Sequence, residues 1–267
     1  MIKKASNQSS SKSAAKTTSR ATAAKKPSAA SAAPATKSAA KKTPASKATA
    51  TKAPAKKAPA PAAESAQAAN SNATALAQQI VQEEQGSALL AEQGERLLDE
   101  RAAISTLAAR VIDEVVAQKP EMIVPMVERF ATGIASSNKR VVQTCADALP
   151  VVAKLAPARV ARQLDRLKNS FPRVSEIGKD GLVRTFAALC TASVAYQKRL
   201  EPVLTAALAE AEGRSLIRWT EIILPALKGE PHARARAVVE DRLYKIARPL
   251  AQKVADFLGI KLRPQIR

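Results

Sequence analysis

Few side chains in this sequence could do covalent or metal chemistry. The chain has two cysteines, Cys145 and Cys190, and a single histidine, His232. These three residues cannot build a usual zinc site or a disulfide framework, so we expect no metal and reduced thiols buried as small apolar residues. A Ser-His-Asp or Cys-His mechanism could use only His232, and no nucleophile lies beside it in the sequence. The sequence therefore predicts no catalytic residue, no cofactor and no enzymatic activity.

Basic residues are far more numerous, and they are unevenly distributed. The 267 residues include 43 Lys and Arg against 23 Asp and Glu, which gives a formal net charge of +20. Residues 1–63, which we call the basic segment, contain thirteen Lys, one Arg and no acidic residue, so this segment carries +14. The rest of the chain carries only +6. Such a charge favours encounter with a polyanion.

The composition of the basic segment predicts disorder. It holds six prolines, no glycine and no aromatic residue, and its only large apolar residues are Met1 and Ile2. Without apolar area to bury, a chain cannot offset a backbone ordering entropy of roughly 1–2 kcal/mol per residue. We therefore expect a disordered basic tail over residues 1–73 and a folded domain over residues 74–267.

Targeting signals give a second interpretation of the same segment. The sequence lacks the apolar stretch of a secretory signal and has no run of 18 apolar residues that could cross a membrane. A transit peptide would be Arg-rich and amphipathic, whereas this segment is Lys-rich. We expect an intracellular protein of the bacterial nucleoid or cytoplasm, or of the eukaryotic nucleus.

Lysine pairs recur in the basic segment beside Pro, Ala, Ser or Thr, as in 25–27, 41–44 and 55–59. This texture resembles the disordered tails of linker histone H1 and of the H1-like proteins of some bacteria. The resemblance implies nonspecific contact with duplex DNA, in which ammonium groups replace counterions on the phosphates. RNA stays an alternative ligand, and a solubilising linker or an import signal stays an alternative role. We expect no membrane partner, because the segment has almost no apolar residue to insert into a membrane surface. The predicted contacts are Lys12, Lys16, Arg20, Lys25, Lys26, Lys37, Lys41, Lys42, Lys47, Lys52, Lys56 and Lys57.

From about Thr74 onward, apolar residues recur at helical spacing and no strand alternation occurs. Asn138 is typical of a helix N-cap, and Pro120, Pro157 and Pro231 are suited to the first turn of a helix. The pattern predicts an all-α fold with helices over 74–92, 96–118, 121–135, 138–155, 157–170, 175–193, 197–211, 214–227 and 232–258.

The predicted helices form pairs that recur along the chain. Pro120, Pro157, Tyr196 and Pro231 begin successive pairs, at intervals of 37, 39 and 35 residues. Residues 141–149 and 183–189 combine Val with small residues and a final Leu, and Asp180 precedes the second of these stretches. Both stretches resemble the second helix of HEAT repeats. The resemblance to this family covers about residues 95–260. The resemblance implies a HEAT-like solenoid, and a single irregular helical bundle is the alternative.

Two groups of cations are predicted to lie on helix faces opposite apolar residues. Arg159, Arg162 and Arg166 share one side of the helix over 157–170, opposite the apolar stripe of Val160, Leu164, Leu167 and Phe171. The helix over 232–258 places Arg234, Arg242, Lys245, Arg248 and Lys253 on one face, together with Asp241 and Asp256. Its apolar stripe comprises Val239, Leu243, Ile246, Leu250, Val254 and Phe257. We predict that both basic faces bind nucleic acid, with a solvated, salt-bridged surface as the alternative.

Together these features predict a non-enzymatic DNA-associated protein, bound nonspecifically through its tail, whose solenoid contacts DNA or a protein partner. A protein-interaction scaffold with a merely localising or solubilising tail is the first alternative. The second is a DNA glycosylase, because bacterial alkylpurine DNA glycosylases are also built from HEAT-like repeats and use aromatic and acidic residues. Only Trp219 and the nearby Glu221 suggest such a site, and a lone Trp in an apolar helix is more often a core residue.

Overall fold

The computed structural model of this protein describes the backbone of residues 62–262 and the side chains of residues 70–262. Within that range the chain forms twelve α-helices, two short 3₁₀ helices and no strand, which confirms the predicted all-α class. The α-helices are α1 Ala62–Gln82, α2 Gly86–Arg96, α3 Ala102–Gln118, α4 Val127–Gly133, α5 Lys139–Leu155, α6 Pro157–Arg162, α7 Leu164–Ser170, α8 Glu176–Ala192, α9 Val194–Glu210, α10 Gly213–Ala226, α11 Glu230–Arg242 and α12 Arg248–Leu258. The 3₁₀ helices are Pro120–Met126 and Phe171–Arg173.

The first helix differs from its prediction at both ends. Helix α1 begins at Ala62, so residues 62–73 are helical although the sequence assigned them to the tail. It ends at Gln82, and α2 begins at Gly86. A side chain on Gly86 would collide with the Ile80 carbonyl group, which is why a glycine makes this turn. The predicted helix over 74–92 was therefore wrong in its bounds.

The C-terminal helix predicted over 232–258 is two helices. Helix α11 ends at Arg242, and α12 begins only at Arg248, with Pro249 in its first turn. Proline disfavours helical backbone in the preceding residue and supplies no N–H, so a continuous helix could not pass through this point without strain. The predicted apolar face is not buried as a whole: Phe257 is 44% exposed, while Ile246 and Leu250 are only half-buried.

The predicted helix starts are confirmed where proline or asparagine marks them. Pro120, Pro157 and Pro231 each lie in the first turn of a helix. The Asn138 side chain accepts a hydrogen bond from the Arg140 backbone N–H at 3.0 Å and so caps α5. Its amide nitrogen also donates to hydroxyl oxygens of α3, which ties the start of α5 to its neighbour.

The second helices of successive pairs pack against one another in chain order: α3 on α5, α5 on α8, α8 on α10, and α10 on α12. One continuous apolar core runs through them from Ala73 to Leu258. Leu149 of α5 and Leu189 of α8 are fully buried in it, as the sequence predicts. Each second helix is thus covered by the helix pair that follows.

Helices α5 and α8 approach each other closely at Gly181. A Cβ at this position would lie 2.5 Å from the Ala146 Cα and 2.8 Å from the Ala146 carbonyl oxygen, both atoms of the α5 backbone. These distances are far below van der Waals contact, so a larger residue must force the two helices apart. The small residues of the second helices therefore allow their backbones to meet.

We expect Gly181→Ala to lower the free energy of unfolding by about 2 kcal/mol or more, because overpacking a rigid contact is costly. Gly94→Ala is the matched control. The three atoms nearest to its Cβ would be the Arg129 Cδ and Nε and the Met126 Cε, all of them near the ends of flexible side chains, and alanine favours a helix. Urea unfolding of both variants should show a change within about 1 kcal/mol for Gly94→Ala. Equal effects would contradict the close packing of α5 on α8.

Candidate nucleic-acid interface

The two cysteines lie in the core rather than at a site. Both are fully buried, Cys145 on α5 and Cys190 on α8. Burial raises the pKa of the Cys190 thiol to about 12 and raises the pKa of Cys145 further. Both thiols are therefore protonated at neutral pH, which confirms that they serve as small apolar residues. No three His, Cys, Asp or Glu residues within the described range are placed to hold a metal ion.

The tryptophan is also part of the core. Trp219 is 4% exposed, and its ring packs 6.4 Å from that of Phe171. Its indole N–H donates a hydrogen bond to the Asp180 carboxylate at 3.1 Å, while Glu221 is exposed. The interpretation of Trp219 as a core residue is thus confirmed.

Many arginines of the domain are paired with acidic residues of the preceding helix pair. Along the second helices, Arg140 pairs with Asp113, Arg184 with Asp147 at 2.9 Å, and Arg218 with Asp180 at 3.1 Å. Along the first helices, Arg129 pairs with Glu95, Arg199 with Asp165 at 3.2 Å, and Arg234 with Glu201 at 3.0 Å. These side chains join neighbouring helix pairs, so their charge is largely compensated within the domain.

The α6–α7 region shows a different arrangement. Arg159 and Arg162 lie on α6 and Arg166 lies on α7, and all three are exposed. None of them forms an ion pair with a residue in the range 70–262. The opposite side carries the predicted apolar residues Val160, Leu164, Leu167 and Phe171, all of them buried. The predicted faces are therefore correct, although the helix is interrupted at Gln163.

A fourth arginine extends this row. Arg173 lies in the 3₁₀ helix after α7, is exposed, and donates a hydrogen bond to the Asn169 carbonyl oxygen at 3.2 Å. The helical pattern did not predict this contact, because Arg173 lies beyond the predicted helix end at residue 170. Its spacing of seven residues from Arg166, which is about two helical turns, was the available signal. We call Arg159, Arg162, Arg166 and Arg173 the arginine row.

The row borders two depressions between the first helices of consecutive pairs. Arg166 and Arg173 line an open cleft of about 780 Å³ beside α4, which we call the α4–α7 cleft. Arg159 and Arg162 line a smaller depression of about 70 Å³ beside Glu128. A hydrogen bond from the Gln163 amide to Glu128, 3.2 Å long, connects the two helices there.

The C-terminal cations lie on two helices and the turn between them, and not on the one continuous helix that the sequence predicts. Arg234 pairs with Glu201 and with Glu230 at 3.6 Å, and Lys245 pairs with Asp241. Arg242 is half-buried and donates a hydrogen bond to the Ala211 carbonyl oxygen at 2.6 Å, which joins α11 to the end of α9. Arg248 is exposed on α12, beyond the turn, and forms no ion pair in the described part of the chain.

The predicted contacts from Lys12 to Lys57 lie outside the described residues. In the part that is described, no helix is both long enough and apolar enough to cross a membrane. Comparison with protein-family models, curated proteins and solved structures finds no match to this chain.

Proposed function

We propose that this protein is a non-enzymatic, DNA-associated protein of a nucleoid or nucleus that binds duplex DNA nonspecifically through its basic segment. The observation that carries the proposal is the separation of charge: fourteen cations without an acidic residue precede a domain with a net charge of +6. Spaced lysines follow a phosphate backbone without reading its sequence, because each acts as a point charge.

The proposed architecture of the domain is a HEAT-like solenoid. Its support is the packing of second helices in chain order and the ion pairs that connect each helix pair to the preceding one. Interactions between neighbouring units are the defining property of repeat proteins. In this arrangement the arginine row lies on the first helix of one unit, where it adds cationic surface to the charge of the basic segment.

A protein-binding scaffold is the second candidate function. Tyr244 is 71% exposed and Phe257 is 44% exposed, and both belong to the last helix pair. Large exposed aromatic side chains are enriched where proteins meet other proteins. A scaffold whose basic segment only localises or solubilises it would show no salt-dependent affinity for nucleic acid.

The experiment that tests the proposed function is a binding series with the full-length chain at about 0.1 M salt. It uses two duplex DNAs of equal length and unrelated sequence, a duplex RNA and a single-stranded DNA. We expect the two duplex DNAs to bind with equal affinity, because phosphate contacts carry no sequence information. We expect weaker binding of the single strand, since the basic segment has no aromatic residue for stacking. Failure to bind any nucleic acid would contradict the proposed DNA association and favour the protein-binding scaffold.

A further inference from the structure

The α4–α7 cleft has the lining of an anion site. Seven residues border it, and none of them is acidic: Ala131, Thr132, Ala135, Arg166, Asn169, Ser170 and Arg173. The two arginines are exposed and lie on the same side of the cleft as Asn169 and Ser170. Because the acidic partners that neutralise other arginines are missing here, the cleft keeps a local charge of +2.

The donors that the cleft offers to a ligand belong to its two arginines and Asn169, because its two hydroxyl groups use their hydrogens within the helices. Thr132 and Ser170 donate their hydroxyl hydrogens to carbonyl oxygens of their own helices, at 2.9 and 2.8 Å. The hydrogen bond from Arg173 to the Asn169 carbonyl oxygen holds that guanidinium beside the cleft. The remaining guanidinium N–H groups and the Asn169 amide are available to a ligand. A ligand that only accepts hydrogen bonds and carries negative charge fits them, and a phosphate is such a ligand.

The size of the cationic surface favours a chain of phosphates over a single one. The cleft has about 780 Å³ and is open, so one phosphate would occupy only a part of it. At about 1.5–2 Å per helical residue, Arg166 and Arg173, which both border the cleft, lie roughly 10 Å apart along the chain. This length corresponds to several nucleotides of one strand, which rise about 3.4 Å each.

The side chains that the cleft lacks favour duplex DNA over a single strand. No aromatic residue lines it, so unpaired bases would find no stacking partner. On the α4 side, Ala131 and Ala135 have short side chains and leave space for a sugar-phosphate backbone. The contacts therefore fit a backbone whose bases are already paired.

We propose that the α4–α7 cleft binds the phosphate backbone of one strand of duplex DNA, with Arg166, Arg173 and Asn169 as the contacting residues. Arg159 and Arg162 extend this contact along the same strand. The inference rests on the proposed function and deepens it, because it gives the DNA a second, ordered contact on the folded domain. Two linked contacts raise the overall affinity through the effective concentration of the second one.

The test compares two full-length double variants that carry the same change of charge. Arg166→Glu with Arg173→Glu removes the cations of the cleft. Arg214→Glu with Lys198→Glu is the matched control, because these two side chains are exposed, lie outside the cleft and form no ion pair in the described part of the chain. Equal melting temperatures of both variants and the parent would show that folding is unaffected.

We expect the cleft variant to bind duplex DNA about tenfold more weakly than the control at about 0.1 M salt. Its slope of log K against log salt should be about 2 units shallower than the slope of the control, since two phosphate contacts are lost. Equal affinities and slopes of the two variants would overturn the cleft proposal. A single-stranded oligonucleotide or inorganic polyphosphate that binds the cleft as tightly as duplex DNA would also overturn it.

The same series separates this proposal from the function on which it rests. If the cleft variant matches its control while deletion of residues 1–61 abolishes binding, the basic segment is the DNA contact and the cleft is not. If that deletion leaves the affinity for duplex DNA unchanged while the cleft variant binds more weakly than its control, the cleft is the DNA contact and the basic segment is not.

Discussion

Leu149→Asp and Leu189→Asp are each expected to destabilise the domain by several kcal/mol. Leu149 lies on α5 and Leu189 on α8, and neither has any accessible surface. An aspartate at either position would place a charge without a partner in the core, and the leucine would leave a cavity behind. Because each helix pair covers the preceding one, the damage should extend to both neighbouring pairs.

The control is the same substitution at an exposed leucine of α5, the helix that carries Leu149. Leu155 is the last residue of α5 and is 45% exposed. Leu155→Asp should change the free energy of unfolding by only about 1 kcal/mol or less, mostly through the helix dipole at this C-terminus. Urea unfolding followed by circular dichroism measures all three variants. An effect of Leu149→Asp no larger than that of Leu155→Asp would mean that the α5 face is misassigned.

The central helices were predictable because their signals are local. The small residues and leucines over 141–149 and 183–189 define a buried face, and Asn138 and the first-turn prolines mark where helices begin. Residues 62–73 lack such signals. Their alanine-rich sequence is compatible with a helix, and α1 is placed by packing on α3 and α2, which are tertiary interactions that no local pattern contains.

The cationic surface was only partly predictable for a related reason. A helical face identifies which arginines point away from the core, and it did so correctly for Arg159, Arg162 and Arg166. A helical face does not show which arginines form an ion pair with an acidic residue. Arg234 pairs with Glu201, 33 residues earlier in the chain, and Arg242 donates a hydrogen bond to the Ala211 carbonyl oxygen, 31 residues earlier. Such partners depend on how two helix pairs pack together.

The hydrogen bond of Arg242 changes how charge reversal at the C-terminal end should be interpreted. A face that serves only as surface would accept Glu at Arg242, Lys245 and Arg248 without loss of stability. Because Arg242 is half-buried and joins α11 to α9, Arg242→Glu removes a contact within the fold as well as a charge. The α4–α7 cleft is therefore a cleaner place to test whether the domain touches DNA.

Deletion of residues 1–61 is expected to have the largest effect on function. The deletion removes all fourteen cations of the basic segment and ends just before α1 begins at Ala62, so the described helices stay complete. At about 0.1 M salt, the affinity for duplex DNA should fall by at least about 100-fold, and by similar factors for unrelated sequences.

The matched control for this deletion is a full-length chain in which residues 2–61 are shuffled without changing their composition. It keeps the charge and the length of the basic segment and loses only the order of its residues. We expect it to bind duplex DNA as tightly as the parent, since point charges on a chain need no fixed sequence to follow phosphates. If the shuffled chain binds duplex DNA as weakly as the deletion variant, a specific motif in the basic segment is responsible, and the proposed mechanism is contradicted.

The dependence of DNA affinity on salt tests the proposed mechanism most directly. If about 6 to 10 cations of the full-length chain meet phosphates, log K should fall against log salt with a slope of about −5 to −9. Removing residues 1–61 should make this slope shallower, down to the value that phosphate contacts of the four residues of the arginine row can supply. A full-length slope near zero, or a steep slope that the deletion leaves unchanged, would contradict binding through the basic segment.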